Sequence, residues 1–265
     1  MIKLANMLEK DGNIVYTYGI EEAEKEAIDK EVFERSDIII CPTPLSKDGN
    51  TIFMPYSHKE ITIQEVLSES RGKIFIAGNI PKKYIDIAKE NDVNIIDIME
   101  SEDLVIYNTI ATAEGTINIM IEDTDKILQG QKVLILGFGR VAKTLAMKLK
   151  GLQMEVTCVA RKDKDIAWIE TYGYRALYLS FIENELKNYD FIINTIPYQI
   201  LKEEQLSKVK KETLLIDLAS SPGGICQDDA KKLGLKSIWA LALPGKIAPT
   251  SSAKFIRKVI YSKIL

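Results

Sequence analysis

Lys132-Val133-Leu134-Ile135-Leu136-Gly137-Phe138-Gly139-Arg140-Val141-Ala142 is the stretch that decides the fold. Four apolar residues in succession, Val133 to Leu136, leave no polar face for water. They therefore form a strand covered on both sides, which is how strands of parallel sheets read. The run ends at Gly137, and a helical pattern then runs from Val141 to Lys150. A G-x-G-x-x-A segment that closes a strand and opens a helix is the dinucleotide fingerprint in its proper context. Gly137 permits the tight turn, Gly139 lets a diphosphate approach the backbone, and Ala142 lets the helix lie close to the strand. The first turn of the helix offers free N–H groups to the phosphates. Gly137, Phe138, Gly139, Arg140 and Val141 are thus cofactor-binding candidates.

Working outward, short apolar runs alternate with helix-period segments along the whole chain. Strands are expected at Ile14–Tyr18, Asp37–Cys41, Lys73–Ala77, Asn94–Ile98, Lys132–Leu136, Glu155–Val159, Asp190–Asn194, Thr213–Leu218 and Lys236–Ala240. Such alternation gives an α/β fold, here two Rossmann-like doubly wound lobes. The expected divisions are a first lobe over 1–108, a linking helix over 109–128, a dinucleotide-binding domain over 129–247 and a C-terminal helix over 248–265 that crosses back. The linking helix places Ala113, Ile117, Met120 and Ile121 along one face. Two helices that connect two lobes point to a cleft, where ligands commonly bind. The first lobe opens on a helix, Ile2–Lys10, where a Rossmann-like half opens on its central strand.

The end of the second strand of the dinucleotide domain chooses between cofactors. NAD enzymes place Asp or Glu about 20 residues beyond the fingerprint to hold the ribose 2′-hydroxyl. Here the chain reads Val159-Ala160-Arg161-Lys162, with two cations and no acid at that place. Arg161 and Lys162 therefore favour NADP over NAD, because a guanidinium matches a phosphate geometrically. The alternative is a solvated turn in which Asp163 or Asp165 takes the hydroxyl. The loops after the later strands should surround the nicotinamide. They are Asn194-Thr195-Ile196-Pro197, then Asp217 to Gly224, then Ala242 to Lys246. Thr195, Pro197 and Ala219 are the cofactor-side candidates there. Plain turn chemistry would also explain each loop.

Composition excludes other classes. The 265 residues are 46% apolar and 28% charged, an ordinary globular balance. With 38 acidic and 35 basic residues the formal charge is −3, so neither nucleic acid nor an anionic membrane is the expected partner. No apolar run approaches the length that spans a bilayer, and the charged start of the chain does not read as a signal peptide. Cys41, Cys158 and Cys226 are scattered, so no zinc site or disulfide frame is indicated and a cytoplasmic location fits.

Several stretches carry a resemblance: Ile106-Tyr107-Asn108-Thr109-Ile110 with Glu114-Gly115-Thr116-Ile117, Leu136-Gly137-Phe138-Gly139-Arg140, Ala160-Arg161, and Ile193-Asn194-Thr195-Ile196-Pro197. Asp217-Leu218-Ala219-Ser220, Pro222-Gly223-Gly224, Leu243-Pro244-Gly245 and Ala248-Pro249 complete the set. Together they resemble the dipicolinate synthase A-subunit family of spore-forming bacteria, from about Ile80 to the C-terminus. The resemblance implies NADP-dependent oxidation of a dihydrodipicolinate-type cyclic dicarboxylate to pyridine-2,6-dicarboxylate. It also implies the flavoprotein-like B-subunit of the synthase as partner and a sporulating mother cell as location; a homo-oligomer is left open. Asn108, Thr116 and Ser220 are taken as substrate-binding residues, together with Lys246, which stands where the family is commonly apolar. Family chains begin with a strand and a glycine-rich turn ahead of the helix found here at Ile2–Lys10. The first sheet is therefore expected to lack one central strand or to borrow one.

The remaining candidates divide by their chemistry. A 2-hydroxyacid dehydrogenase needs a histidine in its cofactor-binding lobe for proton transfer, and the only histidine of this chain is His58, in the first lobe. His58 reads as an exposed residue ahead of a helix. Glu114, placed at the start of the linking helix, is either a catalytic base or a carboxylate that complements the helix dipole. Thr43 and Ser46, in a proline-containing loop, either bind a substrate carboxylate or only shape the turn. Two other readings are a shikimate-dehydrogenase-like NADP oxidoreductase and a non-catalytic NADP-sensing module. The first would need a Lys–Asp pair that the first lobe does not show.

Overall fold

The structure, a computed structural model, describes residues 1–20, 31–55 and 57–264. In chain order the elements begin with α1 (Ile2–Lys10), α2 (Glu31–Arg35), β1 (Ile38–Ile40), α3 (Ile63–Ser68), β2 (Ile74–Ala77), α4 (Lys82–Glu90) and β3 (Asn94–Asp97). They continue with α5 (Glu102–Glu122), β4 (Lys132–Leu136), α6 (Arg140–Gly151), β5 (Glu155–Ala160), α7 (Asp163–Thr171), β6 (Arg175–Tyr178) and β7 (Phe191–Asn194). The last are α8 (Glu203–Leu206), β8 (Leu214–Asp217), α9 (Gln227–Lys232), β9 (Lys236–Trp239), α10 (Leu243–Ile247) and α11 (Pro249–Ile264). The chain divides into two compact units, one of residues 1–107 with 249–265 and one of residues 108–248.

The second unit is built on a six-stranded, wholly parallel sheet in the order β6-β5-β4-β7-β8-β9. Counted from β4 this is the 3-2-1-4-5-6 order of a dinucleotide-binding fold. The pleat of β4 divides its side chains between two cores. Val133 and Ile135 join Leu145, Ala146 and Leu149 of α6 and Ile166 and Ile169 of α7. Leu134 and Leu136 face the other way, onto Ile182, Leu201, Leu206 and Ile225. Burial on both faces is why β4, β7 and β8 read as unbroken apolar runs. Strand β6 has no such run. It is an edge strand that pairs only with β5, and its burial is partial, which is why Arg175–Tyr178 was not expected from sequence.

The first unit holds a parallel sheet in the order β1-β2-β3. Phe75 and Ala77 of β2 pack with Ile63, Val66 and Leu67 of α3 and with Tyr84 and Ala88 of α4. Ile76 faces the opposite side, onto Leu4 of α1, Leu104 of α5, and Val259 and Ile260 of α11. Helix α11 lies on α1. Asp11 accepts from Arg257 (3.1 Å) and from Tyr261 (2.9 Å), and Asn13 donates to the same Tyr261 hydroxyl.

Three expectations are corrected. No strand forms over Ile14–Tyr18, because Ile14 is 84% exposed and the segment has no ladder partner among the described residues; Tyr16 and Tyr18 instead pack as loop side chains against the first core. Among the described residues no strand precedes β1. The linking helix begins at Glu102 rather than Thr109, with Glu102 and Asp103 in its first turn, where acids complement the helix dipole. Its 21 residues are also long and apolar enough to cross a bilayer by length and composition alone. Its buried side chains nevertheless belong to the protein's own cores, Leu104 in one unit and Ala113 and Met120 in the other.

Gly115 of α5 is where that helix meets α10. A β-carbon there would lie 3.0 Å from Ile247 and 3.3 Å from Leu243. Gly115→Val should therefore lower stability by about 1–3 kcal/mol through overpacking. Urea unfolding of the variant checks this, and an unchanged midpoint would refute the contact.

Candidate functional site

The order of the second sheet reverses between β4 and β7, and ligands of open α/β sheets bind outside the strand ends at such a point. The loops that meet there are Gly137–Gly139 and Asn194–Pro197. Gly137 has φ +101°, and a β-carbon on it would lie 2.5 Å from the Thr195 hydroxyl oxygen. Both backbone conformation and space thus require glycine. Thr195 closes the turn by donating its hydroxyl (2.8 Å) and its backbone N–H (3.0 Å) to the Leu136 carbonyl. Gly139 is different. It is exposed, and a β-carbon there would meet nothing within 4 Å. Gly139 is also the N-cap of α6, and no side chain caps that helix. An open glycine beside an uncapped helix N-terminus is the cradle that a diphosphate fills, so the residues present fit a nicotinamide dinucleotide.

The polar centre of the site lies one strand further along. Asn194 and Asp217 end neighbouring strands and are register partners. Both are wholly buried. The Asp217 carboxylate accepts from Asn194 Nδ2 (2.7 Å), from the backbone N–H of Ala219 (3.1 Å), and from those of Gly224 (2.7 Å) and Ile225 (2.9 Å). The Asn194 side chain bonds both the N–H and the carbonyl of Ile196. Gly223 and Gly224 let the loop lie directly on this pair. A β-carbon on Gly223, whose φ is +74°, would come 2.7 Å from the Asp217 carboxylate, and one on Gly224 would collide with the Asn194 amide. Trp239 adds the end of β9 by donating to the Ala219 carbonyl (2.8 Å). Neither Asn194 nor Asp217 was singled out as a site residue. Their signal was present: each is the polar last residue of an otherwise apolar strand.

The expected site residues divide accordingly. Gly137, Gly139, Arg140, Val141 and Thr195 gather at the switch point, with Pro197 exposed on the second loop. Arg161 follows β5 and lines a pocket of about 360 Å³ with Tyr178, Leu179 and Ser180; Lys162 beside it is exposed. The Phe138 ring is buried against Tyr172 (6.1 Å) and Tyr174 (6.5 Å), so this residue can serve a ligand only through its backbone. The Ala219 N–H and carbonyl are already engaged by Asp217 and Trp239. Ser220 and Lys246 are exposed, and Asn108 is half-buried one residue before Thr109, which pairs with Thr144 of α6 (2.7 Å).

Several placements differ from the expected ones. Glu114 lies in the middle of α5, not in its first turn, so dipole complementarity does not explain it. Its carboxylate pairs with Lys148 at 2.9 Å. Lys148 stands about 12 Å along α6 from the uncapped first turn, at 1.5 Å per residue, which removes Glu114 from the phosphate end of the site. Thr116 is fully buried and donates to the Thr112 carbonyl (2.8 Å), so it presents no surface to a substrate. In the first unit, Ser46 is committed to its own loop, donating to Asp48 (2.8 Å) and accepting from the Gly49 N–H (2.9 Å). The Thr51 hydroxyl, then the Asn50 and Thr51 backbone N–H groups and Ser46, hold the Asp48 carboxyl well below its ordinary range. Thr43 is exposed, close against Gly78. Cys41 and Cys158 are buried thiols whose pKa is pushed up to about 12 by desolvation, so neither is a nucleophile at neutral pH. His58 is exposed in the loop ahead of α3.

Fold and site define the second unit as the dinucleotide-binding domain of an NAD(P)-dependent oxidoreductase. Residues 111–230 match the family described as D-isomer specific 2-hydroxyacid dehydrogenase, NAD binding domain. The first unit gives the particular kind: residues 1–99 match the N-terminal domain of the dipicolinate synthase A-subunit. The dipicolinate synthase A-subunit of Bacillus subtilis (strain 168) is 33% identical over 250 residues, covering 94% of this chain and 84% of that protein. The crystal structure of the dipicolinate synthase A-subunit from Bacillus halodurans superposes with a TM-score of 0.90 at 27% identity, over 99% of this chain and 93% of that one. The crystal structure of the Bacillus subtilis protein superposes with a TM-score of 0.86 at 28% identity, over 99% and 91%. The chain belongs to the dipicolinate synthase A-subunit family.

The buried carboxylate gives a direct test of the site's construction. Asp217→Ala leaves three backbone N–H groups and an amide without their acceptor. It should cost about 3 kcal/mol or more, since each buried unpaired polar group costs about 1–3 kcal/mol. Denaturant titration measures the loss, and a value below about 1 kcal/mol would show that the loop does not depend on this carboxylate.

Proposed function

We propose that this chain is the oxidoreductase component of a dipicolinate synthase. It uses NADP to convert a dihydrodipicolinate-type cyclic dicarboxylate to pyridine-2,6-dicarboxylate in the cytoplasm of a sporulating cell, together with a flavoprotein-like B-subunit. The observation that carries this reading is likeness to one named enzyme component over 94% of the chain, with the first unit matching that component's N-terminal domain. The absence of any histidine from 108–248 supports it, because aromatisation drives the loss of hydrogen from a dihydropyridine ring and lets water take the proton, whereas oxidation of a hydroxyl relies on a positioned base.

When bound, the nicotinamide would supply a hydride acceptor, with the other ring hydrogen passing as a proton to water. The chain's own residues bind and orient. Gly139 and the first N–H groups of α6 hold the diphosphate. Arg161 and Lys162 meet the 2′-phosphate. Thr195, Pro197 and Ser220 line the strand ends where the nicotinamide and substrate belong. Because the product is aromatic, positioning and exclusion of water do most of the work, and Glu114, held by Lys148, is not needed as a base. The direct test is an ultraviolet assay for dipicolinate with NADP and freshly generated substrate, with and without the B-subunit. Tight NADP binding with no product in either arm would replace this reading with a nucleotide-sensing role.

Two substitutions test the cofactor's placement. Gly139→Val fills the open cradle and should abolish dinucleotide binding in calorimetry while leaving the circular dichroism spectrum unchanged; retained affinity would move the cofactor elsewhere. The unmodified protein should prefer NADP over NAD by roughly tenfold or more, about 1.4 kcal/mol. Arg161→Asp should erase or reverse that preference, and equal affinities before substitution would refute the choice of NADP.

A further inference from the structure

Asp163 is a carboxylate in the wrong place for a 2′-phosphate. It is the first residue of α7, two positions beyond Arg161, and so stands beside the pocket that Arg161 lines. A carboxylate at this end of the second strand is what NAD enzymes use to hold the ribose 2′-hydroxyl. It would repel a 2′-phosphate, a dianion, wherever the two came close. Yet Asp163 does not line the pocket, whose walls are Arg161, Tyr178, Leu179 and Ser180. Its Oδ1 accepts a hydrogen bond of 2.9 Å from the hydroxyl of Tyr178, the last residue of β6.

We propose that Tyr178 is a positioning residue for cofactor choice: by holding the Asp163 carboxylate on its hydroxyl, it leaves Arg161 and Lys162 to face a 2′-phosphate with no carboxylate turned toward it. The proposal rests on the reading of the cofactor as NADP. Three features support it. The bond joins an edge strand to the first turn of the neighbouring helix, so the partners come from elements fixed by separate packing, β6 on β5 and α7 through Ile166 and Ile169 on the core. The N-terminus of α7 stabilises the carboxylate where Tyr178 holds it. The same hydrogen bond, ahead of desolvation, raises the pKa of the Tyr178 phenol, which therefore stays protonated and able to donate.

Without the hydroxyl, Asp163 is free to turn toward the pocket. There it repels a 2′-phosphate and can accept from a ribose hydroxyl, so the two cofactors respond in opposite directions. The experiment measures dissociation constants of NADP and NAD by calorimetry for the unmodified protein, Tyr178→Phe, Asp163→Asn and the double variant. Tyr178 is 37% exposed, and phenylalanine keeps its ring contact with Phe181, so the fold should be retained, with thermal melting as the control. The expected result is a fall of about tenfold in the preference for NADP in Tyr178→Phe. The preference should be undiminished in Asp163→Asn and should not fall further when Tyr178→Phe is added. A preference for NADP that survives Tyr178→Phe overturns the inference and leaves the cofactor reading intact. A fall that persists in the Asp163→Asn background shows that Tyr178 acts on the phosphate directly, which also overturns it. Equal affinities in the unmodified protein remove the NADP reading and the inference with it.

Discussion

A buried carboxylate, with no cation beside it among the described residues, holds the ligand-facing end of the second unit together. Taking Asp217 out of water is costly, and the cost is offset only because four donors converge on it. Those donors come from β7, from the residues directly after β8, and from the return of that loop at Gly224 and Ile225. The Trp239 indole, bonded to the Ala219 carbonyl, extends the same arrangement to β9. One side chain therefore determines where three consecutive strand ends stop and how their loops turn. The glycines at 223 and 224 follow from it, since no larger residue lets the backbone lie on the pair.

The other side of the switch point is arranged by exclusion. Gly137 is closed down by Thr195, whereas Gly139 is left open beside a helix with no capping side chain. Two glycines in one fingerprint thus do opposite things: one removes a side chain to let protein pack, the other to let a ligand approach. The net positive ends of the α6 peptide dipoles meet that opening, so the diphosphate site needs no cationic side chain of its own. Arg161 and Lys162 stand at the far end, after β5.

Much of this architecture is legible in the sequence, for reasons that also explain what is not. Strands β4, β7 and β8 are apolar on both faces, so their runs are continuous and their limits fall within a residue or so of the expected ones. Strand β6 is half-covered at a sheet edge and leaves no such trace. The Ile14–Tyr18 segment has the alternation of a strand, but alternation records only that every second side chain is apolar, and Ile14 is 84% exposed. The early start of α5 is announced by the acids that follow Ser101, a signal weaker than the apolar pattern further along the helix. Among site residues, the fingerprint is legible because its chemistry is local. The partners of Glu114, Ser46 and Asp217 lie in other elements or further along a loop, and spacing along the chain does not reveal them.

The route of the chain has a consequence for its synthesis. The first unit is discontinuous: α11 belongs to it, lies on α1, and is separated from the rest by the whole of the second unit. Domains emerging from a ribosome fold in order of appearance. Here the continuous second unit can complete its sheet while the first is still missing the helix that covers Ile76 and its neighbours. Until α11 is released, one face of the β1-β2-β3 sheet remains partly bare, and the earlier-made half of the molecule is the last to become resistant to aggregation and proteolysis. In a growing chain, the fragile interval belongs to the first unit and ends only when α11 can join it.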